Sequence, residues 1–212
     1  MKNSYLLVLL SILLLGSCSD KVLRIACVGD SITEGYGLAV QSKTSYPVML
    51  DSILGSKYSV LNSGRSATTL QKKGDFPYWI CKEFSNVFVY KPNIIIIKLG
   101  TNDTKPQNWH ADKYEQDYQA MIDTFKTISS NAKIYVCLPV PVFKTKWGIN
   151  DSTVVHGIIP ILEKLAAKNN LPVIDLYHGM ITQGGDFQDS IHPNEKAAKV
   201  MAGLIAAKVT KK

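Results

Sequence analysis

Unbroken apolar runs alternate along this chain with stretches whose apolar residues recur at helical intervals. Ile94-Ile95-Ile96-Ile97 is β-branched at every position and is bounded by Pro92-Asn93 and Gly100. A run with no polar residue has no face to turn to water, so it predicts a central strand buried on both sides. Val22–Val28 and Ile134–Leu138 read as further buried strands, and Tyr58–Leu61 and Pro172–Ile174 as shorter ones. Between them, Tyr46–Leu54 has helical spacing. In Asp112–Ser129, residues Tyr114, Tyr118, Met121, Ile122 and Phe125 fall on one helical face. Phe76–Tyr90 is mixed but holds a helix-like stretch. Thr153–Lys168 is helical in pattern, with Pro160 marking a kink or a late start. Asn194–Val209 is the last helix, with Asn194 as its cap.

Strand and helix alternate to the end, which predicts an α/β fold with a parallel sheet and helices on both faces. Ligands of such sheets bind beyond the carboxyl ends of the strands. Three polar, glycine-containing clusters directly follow strands here: 29–33, 62–65 and 100–103. Three loops at one sheet edge can converge on one site.

The start of the chain has a different character. A short basic segment, Met1-Lys2-Asn3, precedes an apolar run from Leu6 to Leu15 broken only by Ser11. A membrane-spanning helix needs roughly 20 apolar residues, so this run reads as a secretory signal. Leu15-Gly16-Ser17-Cys18 resembles the bacterial lipoprotein signal. That resemblance implies a signal peptide over 1–17, a tether over 18–21 and one folded domain over 22–212. It also implies acylation of Cys18 and a lipid anchor in a bacterial membrane, by expectation the outer one, with the domain periplasmic or surface-facing. An ordinary signal peptide cut nearby, with Cys18 incidental, is the alternative; both readings export the chain.

Composition narrows the function classes. With 46% hydrophobic and 19% charged residues in 212, the chain is too apolar to be disordered and long enough for a full core. The net charge of +7 is carried by scattered lysines, and no Arg cluster interleaves with aromatics as nucleic-acid binding requires. No protein partner can be inferred. Besides Cys18, Cys27 and Cys137 lie in strand-like runs and read as core residues. With Cys81 the number is odd and no metal-ligand spacing occurs, so no disulfide is assigned.

The candidate chemistry begins at Gly29-Asp30-Ser31-Ile32-Thr33. Gly-Asp-Ser alone is a common turn. Placed where the first strand ends, it can present Ser31 on a sharp turn with its backbone N–H free. A serine hydroxyl is a weak nucleophile and needs a base. Of the four histidines, His192 is the best placed, in Asp189-Ser190-Ile191-His192-Pro193 before the last helix. Asp189 can fold back to the ring N–H, setting the tautomer and stabilising the imidazolium; a helix-entry turn is the competing reading. His110, His156 and His178 have no partner pattern. Donors for a developing oxyanion are Ser31 N–H, the Asn102 amide and the Gly64 N–H. Plain turn roles for Gly64 and Asn102 are the alternatives.

Taken together, Gly29-Asp30-Ser31-Ile32-Thr33, Asn62-x-Gly64, Gly100-Thr101-Asn102-Asp103 and Asp189-x-x-His192-Pro193 resemble the four blocks of the SGNH subgroup of the GDSL hydrolase family, in order. The resemblance implies Ser31 as nucleophile, His192 as base, Asp189 as its partner and Ser31, Gly64 and Asn102 as the oxyanion hole. It implies a flavodoxin-like three-layer α/β/α sandwich with five parallel strands, and no metal or organic cofactor.

Arg65, Trp109 and Trp147 are candidate substrate contacts, the tryptophans as stacking platforms for sugar or as loop packing. Asp30 and Asp103 are expected to hydrogen-bond their own turns. The expected activity is hydrolysis of small acyl esters, acetyl above all, on a small molecule or glycan. A lipid acyl hydrolase would need a long apolar groove beside Ser31, which the apolar Pro139–Phe143 leaves open. A non-catalytic glycan-binding lipoprotein is the third reading.

Overall fold

The computed structural model of the protein describes residues 21–128 and 131–211. The expected signal peptide, Cys18 and all but the last residue of the tether lie outside the described residues. Strand β1 (Leu23–Gly29) is followed by helices α1 (Ser31–Glu34), α2 (Gln41–Thr44) and α3 (Tyr46–Leu54). Next come β2 (Tyr58–Gly64), α4 (Lys82–Tyr90), β3 (Ile94–Lys98), α5 (Ala111–Lys126) and β4 (Lys133–Leu138). The chain continues through α6 (Asp151–Thr153), α7 (Ile159–Asn169), β5 (Val173–Asp175), α8 (Leu176–Met180) and α9 (Glu195–Val209).

The five strands form one parallel sheet in the order β2-β1-β3-β4-β5. Because strand side chains alternate between faces, each central strand feeds two cores. Ala26, Val28, Ile95, Ile97, Ile134 and Val136 pack with Tyr118, Phe125 and Leu162 on one side. Ile25, Cys27, Ile94, Ile96, Tyr135 and Cys137 pack with Tyr46, Leu50, Met201 and Ile205 on the other. The expected three layers are therefore observed. The all-isoleucine strand is central and fully inside, as its composition demanded.

Three differences from the sequence reading have local causes. Strand β1 starts at Leu23, and Val22 is exposed. Strand β2 does not stop at Leu61 but pairs with β1 through Asn62, Ser63 and Gly64. The helix around Pro160 is divided: a π turn over Val154–Ile158 precedes α7, which has Pro160 in its first turn. Proline has no N–H for the carbonyl four residues back, so the chain widens there and the Ile159 N–H reaches Val154 O instead.

Register places the site. Gly29, at the end of β1, is level with Gly64 of β2 and with Lys98 of β3. The three loops that follow therefore leave the sheet side by side at its carboxyl edge. Gly64 allows its neighbour to come very close: a Cβ there would lie 2.1 Å from Glu34 N, so no other residue fits without moving backbone.

Candidate active site

Ser31 begins the one-turn helix α1. Asp30 caps it, accepting the Ile32 N–H at 3.0 Å. The Ser31 N–H, as the first amide of the helix, has no intrahelical acceptor. Ser31 and His192 are both buried to a tenth or less exposure, yet both line an open cleft of about 270 Å3. Ser31 Oγ lies 2.8 Å from His192 Nε2, although 161 residues separate them in sequence.

The other face of the imidazole meets Asp189, with Nδ1 to Oδ2 at 2.6 Å. The second carboxylate oxygen accepts the backbone N–H groups of His192 (2.7 Å) and Ile191 (3.0 Å). The tight return from Asp189 to His192 puts Ser190 in the left-handed region, at φ 71°. Burial alone would raise the Asp189 pKa, but the hydrogen bonds from His192 and Ile191 outweigh it and hold the carboxyl below its usual range. An ionised carboxylate only accepts, so the proton of the pair sits on Nδ1. Nε2 then keeps its lone pair and accepts the Ser31 hydroxyl proton.

The wall opposite the imidazole corrects one expectation. Gly64 is still in β2, does not line the cleft, and donates its N–H to Asn62 Oδ1 at 3.0 Å. Because the strand runs on to Gly64, the loop starts at Arg65 and the residues that reach the cleft are Ser66 and Ala67. Ala67 has φ 65°, rare for a residue with a Cβ, and among the described residues nothing accepts its N–H. Asn102 lines the cleft as expected. One of its amide hydrogens goes to Thr68 O at 3.1 Å, leaving the other for a ligand.

Two buried ionic groups support these loops. Lys98 Nζ donates to both Asp30 oxygens at 3.1 and 3.3 Å and to Thr101 Oγ1 at 3.3 Å. Lys98 was not singled out from sequence; a lysine closing an all-apolar strand was the available signal. Asp103 does not bond its own turn. It reaches across to the Leu70 and Gln71 N–H groups at 2.8 and 2.9 Å. Burial pushes its pKa up to about 6, against the lowering pull of those hydrogen bonds; nearby Asp30 adds to the rise.

Of the three expected substrate contacts, one is in place. Trp147 stands at the mouth of the cleft, more than half exposed, with its ring 6.2 Å from that of His192. Trp109 is not in the cleft: its indole packs against Gly157 and lies 5.6 Å from the Tyr114 ring. Arg65 is also outside it, exposed, with its guanidinium over the Phe76 ring. Tyr36, missed from sequence, lines the same cleft with its ring 4.7 Å from that of His192, and also borders a second trough of about 500 Å3 with Leu38, Gln188 and Asn194.

Other expectations resolve elsewhere. His178 does have a partner, Asp175, at 2.8 Å, but the pair is exposed and lies outside the cleft. Val140 and Val142 of the apolar loop point into the two cores rather than into a groove. Cys27, Cys81 and Cys137 are free and buried. Among the described residues, no helix is long and apolar enough to cross a membrane.

Residues 27–200 match the GDSL-like lipase/acylhydrolase family. Over 210 residues the chain is 40% identical to an acetylxylan esterase of Xylanibacter ruminicola, an alignment covering 90% of this chain. It spans only 44% of that relative's length. The fold is shared with an acetylxylan esterase from Geobacillus stearothermophilus (TM-score 0.73, 17% identity, 91% of this chain and 96% of that one). It is shared as well with a carbohydrate acetylesterase from Sinorhizobium meliloti (TM-score 0.70, 19% identity, 88% and 98%).

Proposed function

The chain belongs to the GDSL-like lipase/acylhydrolase family, and from that membership we propose that it is a serine esterase removing acetyl groups from carbohydrate. The observation that carries this reading is the hydrogen-bonded series Ser31–His192–Asp189 opening on a small cleft with two exposed aromatic rings, Tyr36 and Trp147, near the imidazole. In the reaction, Ser31 Oγ attacks the ester carbonyl carbon as its proton passes to His192 Nε2. The carbonyl oxygen gains charge against Ser31 N–H, Ala67 N–H and the Asn102 amide. Such donors count most where water is excluded, and each is typically worth about 2.7–4 kcal/mol of barrier. The C–O bond then breaks, and the leaving sugar oxygen takes the proton from His192. Water then attacks the acyl carbon as His192 Nε2 takes its proton, the bond from that carbon to Ser31 Oγ breaks, and the imidazolium returns the proton to Oγ as acetate leaves.

Besides Ser31 and His192, the cleft is lined by Ser66, Ala67, Asn102, Lys105 and Ile149, which we assign to the acyl group. Val140 and Val142 are turned into the cores, so among the described residues these two do not line a channel for a long acyl chain. The alcohol side carries Tyr36 and Trp147, flat apolar surfaces of the kind that sugar rings stack on. The names of the acetylxylan esterase and carbohydrate acetylesterase relatives support the same substrate class.

The test is a panel of p-nitrophenyl esters and acetylated glycans with the purified domain. Acetyl esters should be cleaved and octanoyl esters should not. Preference for octanoyl would replace this reading with a lipid acyl hydrolase. Ser31→Ala should abolish turnover while the fold persists. A wild-type protein inert on every short ester would leave a glycan-binding module.

Export on a lipid anchor is part of the proposal, supported by Leu15-Gly16-Ser17-Cys18. Cells fed labelled palmitate should label the full chain but not Cys18→Ala; equal labelling would remove the anchor.

A further inference from the structure

Glu34 is the last residue of α1, one turn beyond Ser31. Its carboxylate is not spent on a cation: among the described residues no lysine or arginine forms an ion pair with it. Instead Oε2 accepts the Ser66 backbone N–H at 2.7 Å and also the Ser66 hydroxyl. Ser66 immediately precedes Ala67. The same segment is tied to Glu34 a second time, since the Glu34 carbonyl accepts from Asn62 Nδ2 at 3.4 Å and its N–H abuts Gly64. At the far end of the loop, Asp103 holds Leu70 and Gln71. Between these anchors lie Ala67, at φ 65°, and Thr68, whose carbonyl holds the Asn102 amide.

We infer that Glu34 is a positioning residue: by fixing the Ser66 peptide, its carboxylate keeps Ala67 in the left-handed region with the N–H facing the cleft. This rests on Ala67 N–H being an oxyanion donor, as proposed above. An alanine does not hold that conformation unaided, because its Cβ crowds the following carbonyl. A glycine would. The Thr68 N–H and hydroxyl close the turn on Arg65 O, at 3.4 and 2.8 Å, and the carboxylate on α1 anchors its Ser66 peptide, so the two together supply what the side chain at 67 takes away. It also couples the donor to the nucleophile, because Ser31 and Glu34 share one rigid turn.

The inference separates Glu34 from a residue that merely stabilises the fold. Glu34→Ala should lower kcat on p-nitrophenyl acetate roughly tenfold to a hundredfold, the scale of a misplaced or lost donor, with KM changed less than about threefold. Glu34→Gln keeps one acceptor oxygen for the Ser66 N–H and should fall between Glu34→Ala and wild type. Ala67→Gly removes the strain, so Glu34→Ala should cost less kcat in that background than alone.

Rates are normalised to folded protein by circular dichroism. A Glu34→Ala kcat within twofold of wild type would overturn the inference. So would a loss that vanishes on normalisation, or equal losses with alanine and glycine at 67. The crystal structure of Glu34→Ala gives a readout independent of activity: the Ser66–Ala67 peptide should be rotated. If Ala67 stays left-handed with its N–H in the cleft, the inference fails whatever the rates. A wild-type protein without esterase activity instead defeats the proposed function, and the crystal structure alone then decides the role of Glu34.

Discussion

Lys98 and Asp30 form a fully buried ion pair, Nζ to Oδ1 at 3.1 Å, directly beneath the turn that carries Ser31. The pair joins the ends of β1 and β3, and Asp30 is at the same time the cap of α1. Removing one partner of such a pair leaves a charge without compensation. Lys98→Met should therefore cost about 3–5 kcal/mol of stability, measured by urea unfolding. A cost below about 1 kcal/mol would mean that water or rearrangement satisfies Asp30.

Asp189→Asn keeps the shape of the loop but replaces an acceptor by an amide that can donate. The imidazole can then turn its protonated nitrogen toward Ser31, which leaves no base. We expect kcat to fall by about 10⁴ with KM nearly unchanged, as when a triad carboxylate is neutralised elsewhere. Stopped-assay kinetics on p-nitrophenyl acetate decide it; a loss under tenfold would show that Asp189 does not set the tautomer.

Trp147 and Trp109 should behave oppositely. Trp147→Ala removes an exposed ring at the cleft mouth, so KM for acetylated oligosaccharides should rise several-fold while p-nitrophenyl acetate is little affected. Trp109→Ala empties a packed position over Gly157 and should lower stability by about 3 kcal/mol without a selective effect on sugar esters. Parallel melting curves and kinetics distinguish the two.

The buried Asp103 makes stability depend on pH with a definite sign. Its pKa is raised to about 6 in the folded protein, so the fold binds this proton more tightly than the unfolded chain. The stabilisation is complete below the ordinary carboxyl value of about 3.9 and is lost as pH rises through 6, amounting to roughly 3 kcal/mol. Asp103→Asn cannot ionise. The stability of wild type relative to this variant should fall between pH 4 and 6; parallel curves in urea titrations would contradict it.

The sequence by itself determined the alternation of strands and helices, and with it a parallel sheet covered on both faces. Every strand was legible because apolar runs cannot be solvated, and α3, α5 and α9 were legible because one face of each is apolar. It also determined that polar loops follow three strand ends, which is why Ser31 and Asn102 could be placed at one edge. It singled out Asp189-x-x-His192 but overlooked Asp175-x-x-His178, for which no partner pattern was expected. Both pairs have the same spacing and both close a hydrogen bond, at 2.6 and 2.8 Å. Only the tertiary structure brings a serine to one of them, because that contact spans 161 residues and depends on strand order. Register decided the other wall of the cleft as well. Three residue pairs beyond Leu61 carry β2 on to Gly64, opposite Gly29. The glycine is thereby consumed as strand, and it is Ala67, further along the loop, that lines the cleft with Ser31. No local pattern records how far a strand pairs with its neighbour, since that is settled by the neighbour's length and by how closely Glu34 packs against Gly64.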